Sequence, residues 1–183
     1  MTAVASVDQD DYFSLFNVPA TYEVDGALLR KHYMSLQQQF HPDRFSGESE
    51  QVKRVAVQKI AFINEAYQTL NSQQKRARYL LKRAGVSIDE QRGTAVDLEF
   101  LTEQMEWREQ LADLTLDEGE GRCETLNHLE DKVKQRLKAI NAKLTTLFAA
   151  DDLSADESIA EYHKLQFMEK LHSEIADLQE ECF

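Results

Sequence analysis

His41, Pro42 and Asp43 stand consecutively in this chain, and they set an imidazole beside a carboxylate, the two groups most used to move protons. General acid–base catalysis also needs a pocket that excludes water and orients a substrate. The neighbours Gln39, Arg44, Ser46 and Gly47 offer no such enclosure, so the pair is expected to face another molecule and the chain is not expected to be an enzyme. The other reactive side chains are Cys123 and Cys182, far apart, with no C-x-x-C and no histidine at ligand spacing beside either. That pattern argues against a zinc knuckle, a redox motif or cluster ligation by this chain alone. It predicts two separate reduced thiols, no metal site, no catalytic residue and no cofactor of its own.

The elements around the tripeptide explain why it would be presented. Upstream, Leu29, Tyr33, Leu36 and Phe40 recur at helical spacing and mark one face of a helix. Downstream, Val52, Ala56, Ile60, Ile63, Tyr67 and Leu70 trace a second helix of the same period. Proline lacks an N–H and disfavours the α region for the residue before it, so Pro42 ends the first helix near Phe40 or His41. The tripeptide is therefore expected on the tip of an αα-hairpin, with both polar side chains in solvent. Asp25 is the expected N-cap of the first helix, and Ser49 starts the second. After the cap signal Asn71-Ser72, a basic helix carries Lys75, Arg76, Arg78, Lys82 and Arg83 and stops at Gly85. A short helix around Tyr12 to Phe16 precedes the hairpin, and residues 1–9 read as a disordered or frayed end.

Composition narrows the class. The chain has 183 residues, with Lys plus Arg at 21 against 33 Asp plus Glu, a net charge of -12. Such an acidic surface is repelled by phosphate backbones and anionic lipid. No nucleic-acid or membrane partner is expected. The N-terminus lacks a basic start and an apolar run, so a cytoplasmic location is predicted. Six glycines and two prolines, both prolines in the first quarter, leave the rest free to run as long helices, and no period-two strand pattern is present. The expected fold is all-α.

Residues 85–95 read as a connection, with domains at 1–84 and 96–183. The second domain is predicted as an antiparallel bundle of three helices. Its first helix runs from about Val96 to Leu116. Its second carries the stripe Leu126, Leu129, Val133, Leu137, Ile140, Leu144 and Leu147. Its third starts near Asp156 and carries Tyr162, Leu165, Met168, Leu171, Ile175 and Leu178. The first of these helices is two-sided. Phe100, Trp107, Leu111 and Leu114 share one side, while Leu98, Leu101 and Met105 cluster roughly 150° away. Edged by Thr102, Glu106 and Glu109, the second stripe can dock a partner. Alternatively both sides are buried, the second against the N-terminal module.

Asp11-Tyr12-Phe13-Ser14-Leu15-Phe16, the helix leading into His-Pro-Asp, and Ile63-Asn64-Glu65-Ala66-Tyr67-Gln68-Thr69-Leu70 together resemble the J-domain. That module belongs to co-chaperones which stimulate the ATPase of DnaK-type chaperones. The resemblance implies that Asp43 engages a basic group of the chaperone, His41 packs and hydrogen-bonds at its interdomain junction, and Pro42 holds both in presentation. Arg30, Lys31, His32 and Arg44 form a local basic patch suited to the same partner. For Arg30 and Lys31 a merely solvated face is the alternative. Many J-domains carry a basic doublet in mid-helix, where this chain has Met34-Ser35. That departure suits a specialised chaperone over charge-driven recruitment.

Arg76-Ala77-Arg78-Tyr79-Leu80-Leu81 and Phe100-Leu101-Thr102-Glu103-Gln104-Met105-Glu106-Trp107-Arg108-Glu109 resemble the HscB family, J-type co-chaperones of iron–sulfur cluster assembly. The resemblance implies two partners: an HscA-type chaperone ATPase, and an IscU-type cluster scaffold bound by the C-terminal bundle. It assigns Leu101, Thr102, Met105, Glu106, Glu109 and Phe167 to scaffold binding. Thr102 is a departure, because a larger apolar residue is expected there. On periodicity alone Phe167 is equally a packing residue or an exposed anchor. Two other readings stay open: a J-protein serving a different client, and a helical adaptor whose hairpin tip triggers nothing.

Overall fold

The computed structural model describes residues 11–88, 98–116, 119 and 121–182. The expected frayed end at 1–9, most of the connection at 85–95, and the expected helix start at Val96 lie outside them. The described residues form α1 (Tyr12–Leu15), α2 (Gly26–Gln39), a 3-10 turn (Pro42–Phe45), α3 (Glu50–Asn71), α4 (Gln73–Arg83), α5 (Leu98–Leu116), α6 (Arg122–Ala149) and α7 (Ala155–Glu180). No strand occurs among them, and none of these helices is long and apolar enough to cross a membrane. The all-α expectation holds. The chain divides into two compact units, residues 1–80 and 81–183.

In the first unit the helix ends follow from their caps. The Asp25 carboxylate accepts from the N–H groups of Ala27 and Leu28 at 2.9 and 3.0 Å, and the Ser49 hydroxyl accepts from Val52 N–H at 3.5 Å. Ser72 does the same for Lys75 at 3.3 Å. These are donors that no helical carbonyl can reach. The hairpin closes on Leu29, Ala56, Ile63, Ala66 and Leu70, all buried, with Phe13 and Phe16 against them. Tyr33 stacks on Tyr67 with ring centres 4.0 Å apart, and its hydroxyl donates to Asn64 at 3.1 Å. Val52, expected on the inner face, is exposed, because it lies on the first turn of α3, beyond the end of α2.

α4 is less of a solvated basic helix than its composition suggests. Arg76 is buried, its guanidinium 5.5 Å from the centre of the Tyr22 ring, and that burial draws its pKa down. α4 ends at Gly85, whose φ of 76° is the left-handed conformation that glycine adopts without penalty. The N–H groups of Gly85 and Val86 donate to the carbonyls of Lys82 and Leu81 at 3.0 and 2.9 Å, the paired bonds of a Schellman stop.

The second unit is built on α6 and α7. Leu126, Leu129, Val133, Ile140 and Leu144 pack against Tyr162, Leu165, Met168, Leu171 and Ile175, all buried. Leu137, Leu147 and Leu178 are half-buried at the edges. Lys143 late in α6 pairs with Glu157 and Glu161 early in α7, each at 3.1 Å, so the two helices are antiparallel. α5 joins them through Phe100, Leu111 and Leu114. Its second stripe is left uncovered by α6 and α7: Leu98, Leu101 and Met105 are exposed.

The cysteines correct the expectation of separate thiols. Cys123, in the first turn of α6, is disulfide-bonded to Cys182, just past α7, with Cα atoms 6.0 Å apart. The antiparallel pairing brings the start of one helix to the end of the other, a proximity that local spacing does not encode.

Candidate interaction sites

The hairpin tip is a single 3-10 turn. Pro42 takes its first position, where the missing N–H costs nothing, and Arg44 N–H donates to the His41 carbonyl at 3.0 Å. The His41 ring caps the turn, with Nδ1 accepting from Asp43 N–H at 3.4 Å. The Asp43 carboxylate lies 3.5 Å from the same nitrogen, and the two side chains are 55% and 89% exposed. With its proton on Nε2, the ring accepts the Asp43 N–H through Nδ1. Neither side chain is enclosed, so the arrangement suits recognition and lacks the shelter of a proton-transfer site.

The remaining basic residues are not gathered at this tip. The Arg44 guanidinium turns back to donate to the Gln38 carbonyl at 3.4 Å, capping the last turn of α2. Arg30 and Lys31 are exposed, with no ion pair to another described residue. Nine residues of helix carry the chain roughly 14 Å along the axis from Arg30 to the end of α2 at Gln39, before the turn begins. His32 leaves the expected patch: half-buried, its ring donates through Nδ1 to the Phe16 carbonyl. Only the packing of α1 against the hairpin shows this, since a histidine between two surface positions reads as basic.

On the second unit the outward side of α5 carries Leu101 at 46% exposure and Met105 at 68%. Thr102, Glu106 and Glu109 are exposed around them. Glu106 and Glu109 form no ion pair with another described residue, so their charge is available. The Thr102 hydroxyl donates to the Leu98 carbonyl at 3.0 Å and turns its polarity back into the helix. Leu98, already in the stripe, and Leu116, both exposed, lengthen the apolar strip at each end; the helical spacing of Leu116 from Met105 was the signal that could have included it. Phe167 sits apart on α7 and is half-buried. Its ring meets Phe100 edge-on at 5.8 Å, and the Arg108 guanidinium covers it 5.3 Å from the ring centre. Through these contacts it joins α5 to α7.

Comparison with known proteins follows the same two units. A family profile described as "DnaJ domain" matches residues 11–79, and one described as "HSCB C-terminal oligomerisation domain" matches residues 96–176. A co-chaperone protein HscB homolog of Shewanella frigidimarina is 37% identical over 172 residues, 93% of this chain and 97% of the relative. The solved chaperone HscB from Vibrio cholerae is 35% identical, with a TM-score of 0.80 over 94% of this chain and 99% of its own. Human co-chaperone protein HscB is 31% identical, with a TM-score of 0.81 over 93% and 82%. With its turn, its two units and these likenesses together, the chain belongs to the HscB family of J-domain co-chaperones, which serve DnaK-type chaperones in iron–sulfur cluster assembly.

Proposed function

We propose that this protein binds an IscU-type cluster scaffold with the outward face of α5, delivers it to an HscA-type chaperone, and stimulates that chaperone's ATPase through the His41-Pro42-Asp43 turn. The observation that carries the reading is the exposure of both elements: an ungated polar turn on one unit, and an acid-edged apolar strip on the other. One holds the client and the other triggers the partner's hydrolysis, so the chain acts by differential binding to states of the chaperone and turns over no substrate itself. Arg30, Lys31 and Arg44 add basic contacts to the same chaperone beside those of the turn. Leu101, Thr102, Met105, Glu106, Glu109 and Phe167 form the scaffold face. The working division is a J-domain at 1–84, a connection at 85–95 and a scaffold-binding domain at 96–183, and the protein works in the cytoplasm.

Steady-state ATPase of an HscA-type chaperone, with and without scaffold, tests this. Wild-type protein raises the rate, and scaffold raises it further. His41→Gln and Asp43→Asn abolish the effect while leaving the melting temperature within a few degrees, as expected of exposed positions. Unchanged stimulation by both variants would instead show that the hairpin tip triggers nothing, and no stimulation by the wild type would leave the protein a passive adaptor.

A further inference from the structure

The buried side chains of α5 stand at its two ends: Phe100 at one, Leu111 and Leu114 at the other. From 101 to 110 none is buried, and Trp107 is half-covered. Apolar contact is non-directional, so these three anchors choose the side of the helix that faces inward and leave its exact rotation less closely set. The directional contacts lie at its edges. Glu103 pairs with Arg136 of α6 at 2.8 Å. On the other edge Arg108 pairs with Glu174 of α7 while lying over the Phe167 ring. At helical spacing Glu103 and Arg108 project about 140° apart, straddling the direction of Leu111, with Leu101 and Met105 beyond Arg108 on the outward arc. Rotation in either sense stretches one of the two pairs.

We propose that Arg108 is a positioning residue for scaffold binding: held by Glu174 and Phe167, and opposed by the Glu103–Arg136 pair, it sets the rotation of α5 that turns Leu101 and Met105 outward. This rests on the reading of that face as the scaffold site. Half-exposed pairs add little to stability, so the role is geometric.

The experiment uses the full chain and the chain's single tryptophan, Trp107, which adjoins Arg108. Arg108→Glu and Glu174→Arg are made singly and together, and binding of an IscU-type scaffold is measured by calorimetry beside the Trp107 emission maximum. Each single reversal weakens binding roughly tenfold and red-shifts the emission; the double swap returns affinity to within about threefold of wild type and restores the emission. Wild-type affinity in both single variants overturns the proposal. So does a swap that restores the emission and leaves binding weak, which makes Arg108 a direct scaffold contact. If a reversal fails to fold, Arg108→Gln and Glu174→Gln replace it, with the same direction expected. Wild-type protein that does not bind scaffold overturns the functional reading instead, and the emission series then judges the seating of α5 by itself.

Discussion

The Lys59 ammonium lies 4.9 Å from the centre of the Phe40 ring, so the residue just before the His-Pro-Asp turn is pinned to α3. An exposed cation over an aromatic face is worth about 0.5–1 kcal/mol. Lys59→Ala is expected to destabilise the N-terminal unit by that amount in urea unfolding, and to reduce ATPase stimulation by less than His41→Gln does. Lys59→Arg, which keeps the cation over the ring, should retain both.

Leu101 and Met105 are exposed, so removing their side chains leaves no internal cavity. The double variant Leu101→Ala, Met105→Ala should change stability by no more than about 1 kcal/mol. Burying such side chains on a partner contributes about 1.5–3 kcal/mol each, so scaffold affinity should fall by one to three orders of magnitude. Thermal melts and calorimetric titration give the two readings. A large fall in melting temperature would mean the strip is internal packing.

Tyr12 stacks on Tyr79 with ring centres 4.5 Å apart, and its hydroxyl donates to Glu65 at 3.1 Å. Burial, with the Glu65 hydrogen bond added, pushes its phenol from 10.0 up to about 12. The folded state favours the neutral ring. Its contribution is therefore complete below pH 10 and is lost as the pH rises to about 12. Tyr12→Phe should remove that part of the alkaline decline in stability, as followed by tyrosinate absorbance and circular dichroism.

The Cys123–Cys182 bond spans a sequence separation of 59, and closing a loop of that size restricts the unfolded chain by about 4 kcal/mol in the chain-entropy treatment. Dithiothreitol should lower the melting temperature of the C-terminal unit by about 10 °C or more. Scaffold binding at room temperature should persist, because the buried seam of α6 and α7 does not depend on the bond. Cys182→Ser should melt like the reduced protein and ignore the reductant. Equal melting with and without reductant would show that the link contributes nothing.

Much of this architecture is determined by local chemistry. Pro42 cannot continue a helix, and Asp25, Ser49, Ser72 and Gly85 satisfy helix ends with their own atoms. The stripes of α6 and α7 each define one buried face, so these elements and the outward turn were legible from the sequence alone. The rest was decided only by distant parts of the chain. α5 offers two apolar stripes, and only its neighbours' surfaces select Phe100, Leu111 and Leu114 for burial and leave Leu101 and Met105 outside. His32 turns inward because α1 brings the Phe16 carbonyl to it, and Arg44 folds back because the turn returns it to Gln38. The cysteines meet because antiparallel helices align the start of one with the end of the other. Periodicity reports which side chains share a face, whereas the partner of that face is set by contacts that no short window of sequence contains.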